Sequence, residues 1–242
     1  MPIKNYEGNT FVAFLDISGF KELMRNEKEA LKALDKLYQY GYEILKDQSN
    51  ECRVEGIFVS DSGMLFVRRN NQILGNNSES LRSLLIKIKM INERMIESDF
   101  MLTTSIAYGK FKYKEKIEFE GMEKNQIYGY AYLSAFLDNE KGKPKIQPGQ
   151  CRIVSKNLPD DVKAAIDNID KRNDLDEEVF KMIKKINKDD HYYYYWMAKN
   201  KDDIERIKNA YKSAQDTLKD AYKSAEKLAY SKILEALKGN SN

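Results

Sequence analysis

The chain has little of what several large function classes need. It carries two cysteines, Cys52 and Cys151, far apart and in no CxxC pair, which argues against a disulfide framework or a thiolate zinc site. Its one histidine is His191. That excludes HExxH metalloproteases and leaves a Ser-His-Asp triad resting on one residue inside an aromatic run, where a structural strand histidine is the better reading. No window holds eighteen consecutive apolar residues, and the opening MPIKNYEG has no apolar signal core. Neither membrane spanning nor export is expected, and the location should be cytoplasmic. An excess of one charge is lacking too: 41 basic against 38 acidic side chains leave +3, dispersed along the chain. No nucleic-acid footprint follows from that, so any nucleotide is met singly.

What is present is a chain of 242 residues with 42% hydrophobic and 33% charged side chains, enough for one sizeable domain with an appendage. The boundaries expected are 1–198 for the main domain and 199–242 for the appendage. Residues 11–17 are apolar on both faces and read as a central strand. From Phe20 to about Lys46 the apolar residues fall on a helical stripe. Strands follow at 52–60 and 63–69, joined through Ser60-Asp-Ser-Gly63, then a second amphipathic helix through Leu81 to Ile96, then a strand from Met101 to Gly109. The order is β-α-β-β-α-β, an α+β class of ferredoxin-like connectivity.

Two carboxylates stand out against this pattern. Asp16 closes the first apolar run and is followed by a Ser-Gly turn, and Asp61 ends the second run with Ser62-Gly63 behind it. A charge at the mouth of a buried strand is costly unless something binds it. A helical crossover joins parallel strands, so the C-terminal ends of strands one and two share one sheet edge and the aspartates should meet there. Such a pair suits divalent ions handling nucleotide phosphates. Taken singly, Asp16 could cap a helix and Asp61 could be a turn residue.

Further along, 110–126 is a Lys- and Glu-rich ribbon, 127–140 enters a third helix, and Cys151 to Ser155 reads as a strand. Pro159 to Ile169 and Glu177 to Ile186 read as helices, and the aromatic run from His191 to Met197 as a strand covered on both faces rather than a base-stacking platform. From Asp202 to about Lys238 no Pro or Gly intervenes, and apolar residues recur at spacings of three and four. That predicts one long helix, on the order of 55 Å. An eleven-residue echo, 210–214 returning at 221–225, favours a straight one that packs on its own domain or on a second subunit.

The site residues carry a resemblance. Phe14-Leu-Asp-Ile-Ser-Gly-Phe20 is similar to the first-strand signature of the class III nucleotidyl cyclases, and the likeness extends through Ile106-Ala-Tyr-Gly109 and Tyr128-Gly-x-Ala-x-x-x-Ala135. More narrowly, with the Ser-Asp-Ser hairpin and Arg152-Ile-Val-Ser155, the chain resembles the bacterial Pycsar pyrimidine cyclases, which answer phage infection by making cyclic UMP or cyclic CMP. The resemblance implies a ferredoxin-like cyclase fold with an extra C-terminal strand and a long C-terminal helix. It also implies two Mg²⁺ or Mn²⁺ ions per site held by Asp16, the Ile17 carbonyl and Asp61, a nucleoside triphosphate substrate, and a homodimer with sites between the two folds.

Within that resemblance, Ser18, Gly19 and Phe20 would offer N–H groups to the polyphosphate. Ile57 stands where purine cyclases place a charged base reader and can make no hydrogen bond. Gln126 is a candidate pyrimidine reader. Leu133 and Leu137 occupy positions where the family's helix carries an Asn and an Arg, a departure that bears on activity. The function implied is conversion of UTP or CTP to the 3′,5′-cyclic monophosphate and pyrophosphate. The alternatives are an adenylate or guanylate cyclase, or a cyclase-like protein that binds nucleotide without turning it over.

Overall fold

In a computed structural model the described residues are 3–46, 52–69, 77–119, 122–168, 178–185, 190–198, 200–220 and 224–238. The apolar run of the first strand lies at the centre of β1 (Tyr6–Ile17), which starts earlier than its hydrophobicity suggests because Tyr6 to Thr10 pair with Tyr113 to Gly109. β1 is flanked by β3 (Ser62–Arg69) and β4 (Leu102–Phe119), both antiparallel to it, and β2 (Cys52–Val59) pairs with β3. The four strands stand in the order β2-β3-β1-β4. With the connecting helices α1 (Phe20–Leu23), α2 (Glu27–Lys46) and α3 (Asn77–Glu97), this is the ferredoxin-like arrangement of an α+β fold. Because β1 and β2 are each antiparallel to β3, they are parallel to one another, as a helical crossover requires.

The sheet continues past β4. β6 (Cys151–Val154) pairs with it in parallel, and β8 (His191–Tyr194) and β7 (Ile183–Lys185) extend the sheet antiparallel beyond β6. The sheet is therefore mixed. The Lys- and Glu-rich ribbon forms an antiparallel arm from the far end of β4 and β5 (Met122–Tyr128). A helix expected over Glu177 to Ile186 is instead a short α6 (Glu178–Lys181) followed by β7, because Ile183 pairs with Tyr194 and buries its side chain in the core.

Side-chain alternation along β1 divides the interior. Phe11, Ala13, Leu15 and Ile17 enter the larger core, which also takes residues of α2, α3, α5 (Asp160–Asp167), β8 and the C-terminal helices. Val12 and Phe14 face the other way, under α4 (Tyr130–Lys141) alone. Asp16 falls on this thinly covered face.

The C-terminal segment differs from the expected single helix. It forms α7 (Lys201–Asp220) and α8 (Ser224–Lys238), with 221–223 outside the described residues, and the two pack together: the Arg206 guanidinium near the start of α7 donates to the Ala236 carbonyl near the end of α8. Ile204, Ile207 and Tyr211 of α7 and Ile233 and Leu237 of α8 are buried in the main core. Folding back lets these residues of both helices leave water together, whereas one straight helix would carry one set away from the core. Among the described residues no helix is long and apolar enough to cross a membrane.

Candidate active site

The end of β1 brings the two aspartates together. Asp16 stands opposite Ser62 on β3, and the Ser62 hydroxyl donates to Asp16 Oδ1 at 3.0 Å. The Ile17 N–H donates to the Asp61 carbonyl at 3.0 Å, which ties the hairpin turn to the end of β1. That turn is tight: Val59 pairs with Ser62, and Ser60 takes a left-handed φ of 55°. Burial pushes the Asp16 carboxyl up to about 6, the Ser62 hydrogen bond opposes the rise, and the charges of Asp61 and Glu140 add to it. Asp16 is thus a partly buried anion facing two others, an arrangement that a cation relieves.

α4 roofs this face. Gly129 starts it at φ 130°, where a Cβ would come within 2.4 Å of the Lys110 carbonyl. The inner row of α4, Ala131, Ala135 and Asn139, is buried, the small residues lying above Val12 and Phe14. Thr103, the β4 partner of Asp16, donates to Asn139 Oδ1 at 3.1 Å. Among the described residues the buried Asn139 Nδ2 has no hydrogen-bond partner. Ser62 entered the sequence reading only as a turn and hairpin residue, and Asn139 and Glu140 were not singled out. The spacing of Ala131, Ala135 and Asn139, four residues apart in succession, was the available signal.

Beside this layer lies a closed ionic network. Arg152, fully buried, donates to Asp138 Oδ2 at 2.8 Å and Oδ1 at 3.1 Å, to the Asp138 carbonyl at 2.7 Å and to the Pro144 carbonyl. His191 Nε2 meets Asp138 Oδ1 at 2.8 Å, and the Ser105 hydroxyl donates to Oδ2. These partners hold the Asp138 carboxyl below its ordinary range, although burial alone would raise it. His191 is a strand residue fastened to α4, and the Arg152 side chain is committed to Asp138 and Pro144.

The loop after β1 only partly matches expectation. The Ser18 N–H donates to the Met101 carbonyl at 2.8 Å and is therefore not free for a phosphate, a correction forced by the way the chain leaves the sheet beside β4. Gly19 takes φ 72°, turning the chain into α1, and among the described residues the N–H groups of Gly19 and Phe20 donate to no backbone carbonyl. The Ser18 hydroxyl is buried with no partner among the described residues.

Ile57 and Gln126 are not at this edge. Ile57 lies two strands over and two residues back from Asp16, roughly 12 Å away, half-buried against the cluster of Met64 and Phe66. Gln126, exposed on β5, pairs with Lys114. Eleven residues of β4 separate Lys114 from Thr103, about 35 Å of strand. Leu133 and Leu137 point outward from α4, 52% and 42% exposed, alongside Tyr130.

The donors fit a divalent ion in type. Two carboxylates and a backbone carbonyl are hard oxygen ligands of the kind Mg²⁺ and Mn²⁺ take, and the unpartnered Ser18 hydroxyl adds a further oxygen at the same loop. Among the described residues no cluster of three or more acidic, histidine or cysteine side chains could hold an ion. A site with two carboxylates therefore needs substrate phosphates and water to complete it, which is the usual manner of Mg²⁺ binding.

No protein-family model matches the chain, and no curated protein matches it. Among solved structures it is similar to the guanylate cyclase domain of RhGC from Catenaria anguillulae in complex with GTP, at TM-score 0.47 and 14% identity over 63% of this chain and 80% of that one. It is similar to the dimeric guanylyl cyclase domain of the RhoGC fusion protein from the aquatic fungus Blastocladiella emersonii, at TM-score 0.45 and 17% identity over 62% and 81%. It is also similar to a bacterial light-regulated adenylyl cyclase, at TM-score 0.49 and 12% identity over 80% and 93%. All three likenesses are distant.

Proposed function

We propose that the chain is a nucleotide cyclase that converts a pyrimidine nucleoside triphosphate, UTP or CTP, to its 3′,5′-cyclic monophosphate and pyrophosphate, as a homodimer, in bacterial antiphage defence. The observation that carries the reading is the meeting of Asp16 and Asp61 beside the Gly19 turn. Asp16, the Ile17 carbonyl and Asp61 would hold Mg²⁺ or Mn²⁺. When bound, such ions supply charge stabilisation for the attacking 3′-oxygen and the leaving pyrophosphate. The Ser62 hydroxyl holds Asp16 through Oδ1, and the Gly19 and Phe20 N–H groups would receive the polyphosphate. The defence role rests on the resemblance of the motifs alone.

The distances support a site shared between copies. Gln126 and Asp16 are too far apart in one chain to touch one nucleotide, since a triphosphate spans well under the length of β4 between them. The exposed apolar stripe of Tyr130, Leu133 and Leu137 on α4 is suited to a second copy. The pyrimidine assignment rests on the motif resemblance, in which Ile57 stands where purine cyclases carry a charged base reader.

A second reading, nucleotide binding without turnover, is favoured by one observation: the buried Arg152 is committed to Asp138 and Pro144, and Leu133 and Leu137 offer no cation. Incubation of purified protein with each of the four NTPs and Mn²⁺, with the products identified by mass spectrometry, separates these readings. A cyclic pyrimidine monophosphate supports the proposal, a product dominated by cyclic AMP or cyclic GMP refutes the base assignment, and bound but unconverted nucleotide refutes the activity.

A further inference from the structure

Three glycines make room for one ring at the outer edge of the sheet. A Cβ on Gly41 of α2 would lie 2.3 Å from Phe58 Cζ, one on Gly63 of β3 2.7 Å from Phe58 Cε1, and one on Gly56 of β2 2.5 Å from Leu45 Cδ1. Phe58 and Leu45 therefore close-pack as a floor where α2 crosses β2. Beyond that floor the described residues leave a groove. Among the described residues β2 pairs with β3 alone, and a groove of about 430 Å³ remains between the second half of α2 and this edge strand. That size is ordinary for a small-ligand site. Tyr38 and Tyr42 form its aromatic wall, 41% and 70% exposed, with Tyr38 6.0 Å from the Phe58 ring.

The polar residues of the groove are of unequal standing. Glu55 is buried and already neutralised by Arg68, whose Nη2 and Nε reach it at 2.8 and 3.0 Å. Arg68 in turn donates to the carbonyls of Lys4 and Asn5. Arg53 stands 3.9 Å from Glu55, beyond hydrogen-bonding distance, with its side chain 38% exposed, and Lys46 lies exposed at the same groove. After Glu55 and Arg68 cancel, the lining is an apolar and aromatic surface bordered by two cations.

We propose that this groove between α2 and β2 binds a small organic anion with an apolar body, its carboxylate, sulfonate or phosphate head on Arg53 and Lys46 and its body on Tyr38, Tyr42 and Phe58. Each part of that ligand answers a part of the groove: aromatic faces take a flat or flexible apolar body, and Arg53, whose ion pair with Glu55 is a loose 3.9 Å one to a carboxylate that Arg68 holds more closely, can take a charged head. The site is separate from the Asp16–Asp61 edge and does not depend on the nucleotide reading.

The test uses the full chain and the fluorescent probe 1-anilinonaphthalene-8-sulfonate. The wild type should bind it saturably at one site, and Arg53→Gln should weaken binding about tenfold, as the loss of a charge-assisted contact does. Tyr42→Ala and Lys46→Gln, both at exposed positions, should each weaken it severalfold, and they carry the same test if Arg53→Gln fails to fold. Competition then identifies the body: displacement by dodecanoate marks an acyl ligand and displacement by 2-naphthoate an aryl one. Unsaturable probe binding, equal affinity across wild type and folded variants, or displacement by neither competitor would overturn the proposal.

Discussion

Replacing Asp16 by Asn should stabilise the metal-free protein at neutral pH, and the structure gives the size of the effect. The Asp16 carboxyl rises from its ordinary 3.8 to about 6, chiefly through burial and then through the charges of Asp61 and Glu140. At about 1.4 kcal/mol per pH unit this is at most about 3 kcal/mol. Asp16 is only partly buried, and screening by solvent reduces the figure to about 1–2 kcal/mol. The sign follows from proton uptake. The folded state holds its proton more tightly than the unfolded one, so between about pH 3.8 and 6 stability falls as pH rises, and above 6 the full penalty is present. Asn carries no charge and its Oδ1 can still accept from Ser62.

Thermal unfolding without divalent ions at pH 7.5 should therefore show Asp16→Asn melting about 3–6 °C above the wild type. The gain should shrink towards zero near pH 4, where Asp16 is protonated. Mn²⁺ should raise the wild-type melting temperature and leave the variant unmoved. A variant that melts at or below the wild type at pH 7.5 in the absence of metal would show that Asp16 is not held under electrostatic stress, and the reason for placing an ion there would go.

Other perturbations reach different parts of the account. Asp138→Asn leaves the buried Arg152 guanidinium without its counter-charge and should cost about 3–5 kcal/mol in urea unfolding; a loss under 1 kcal/mol would mean the network is not closed as described. Leu133→Glu combined with Leu137→Glu changes only exposed side chains and should turn a dimer into a folded monomer by analytical ultracentrifugation. A wild type already monomeric at tens of micromolar would remove both the α4 contact and the shared site. Cutting the chain after Asn200 should yield an unstable, aggregating product, because it strips Ile204, Ile207, Tyr211, Ile233 and Leu237 from the core. A truncated chain that unfolds cooperatively at the full-length temperature would contradict that packing.

The meeting of Asp16 and Asp61 was legible in the sequence because topology compels it: two apolar runs ending in aspartate, joined by a helical stripe, must be parallel and share an edge. The hydrogen bonds that decide what each nearby group can do were not legible. Whether the Ser18 N–H is free depends on where β4 begins, and Met101 lies more than eighty residues away. Gln126 could be aligned with a motif, but only the length of the β4–β5 arm reveals how far it stands from Asp16. No Gly or Pro between Asp202 and Lys238 announces that the segment folds back on itself, since helix propensity favours a single helix. The core takes side chains from both α7 and α8. Glu177 to Ile186 failed for a related reason, because Ile183 is recruited to an edge strand by pairing with Tyr194.

Metal stoichiometry tests the central claim most directly. Mn²⁺ binding to the full-length protein can be followed by electron paramagnetic resonance with a non-cyclisable pyrimidine triphosphate analogue present. Two ions per bound nucleotide are expected for the wild type, with the binding lost or reduced to weak association in Asp16→Ala and in Asp61→Ala while both variants remain folded. Unchanged Mn²⁺ binding in either variant would contradict the assignment of that carboxylate and, with it, the account of this site as a two-ion centre.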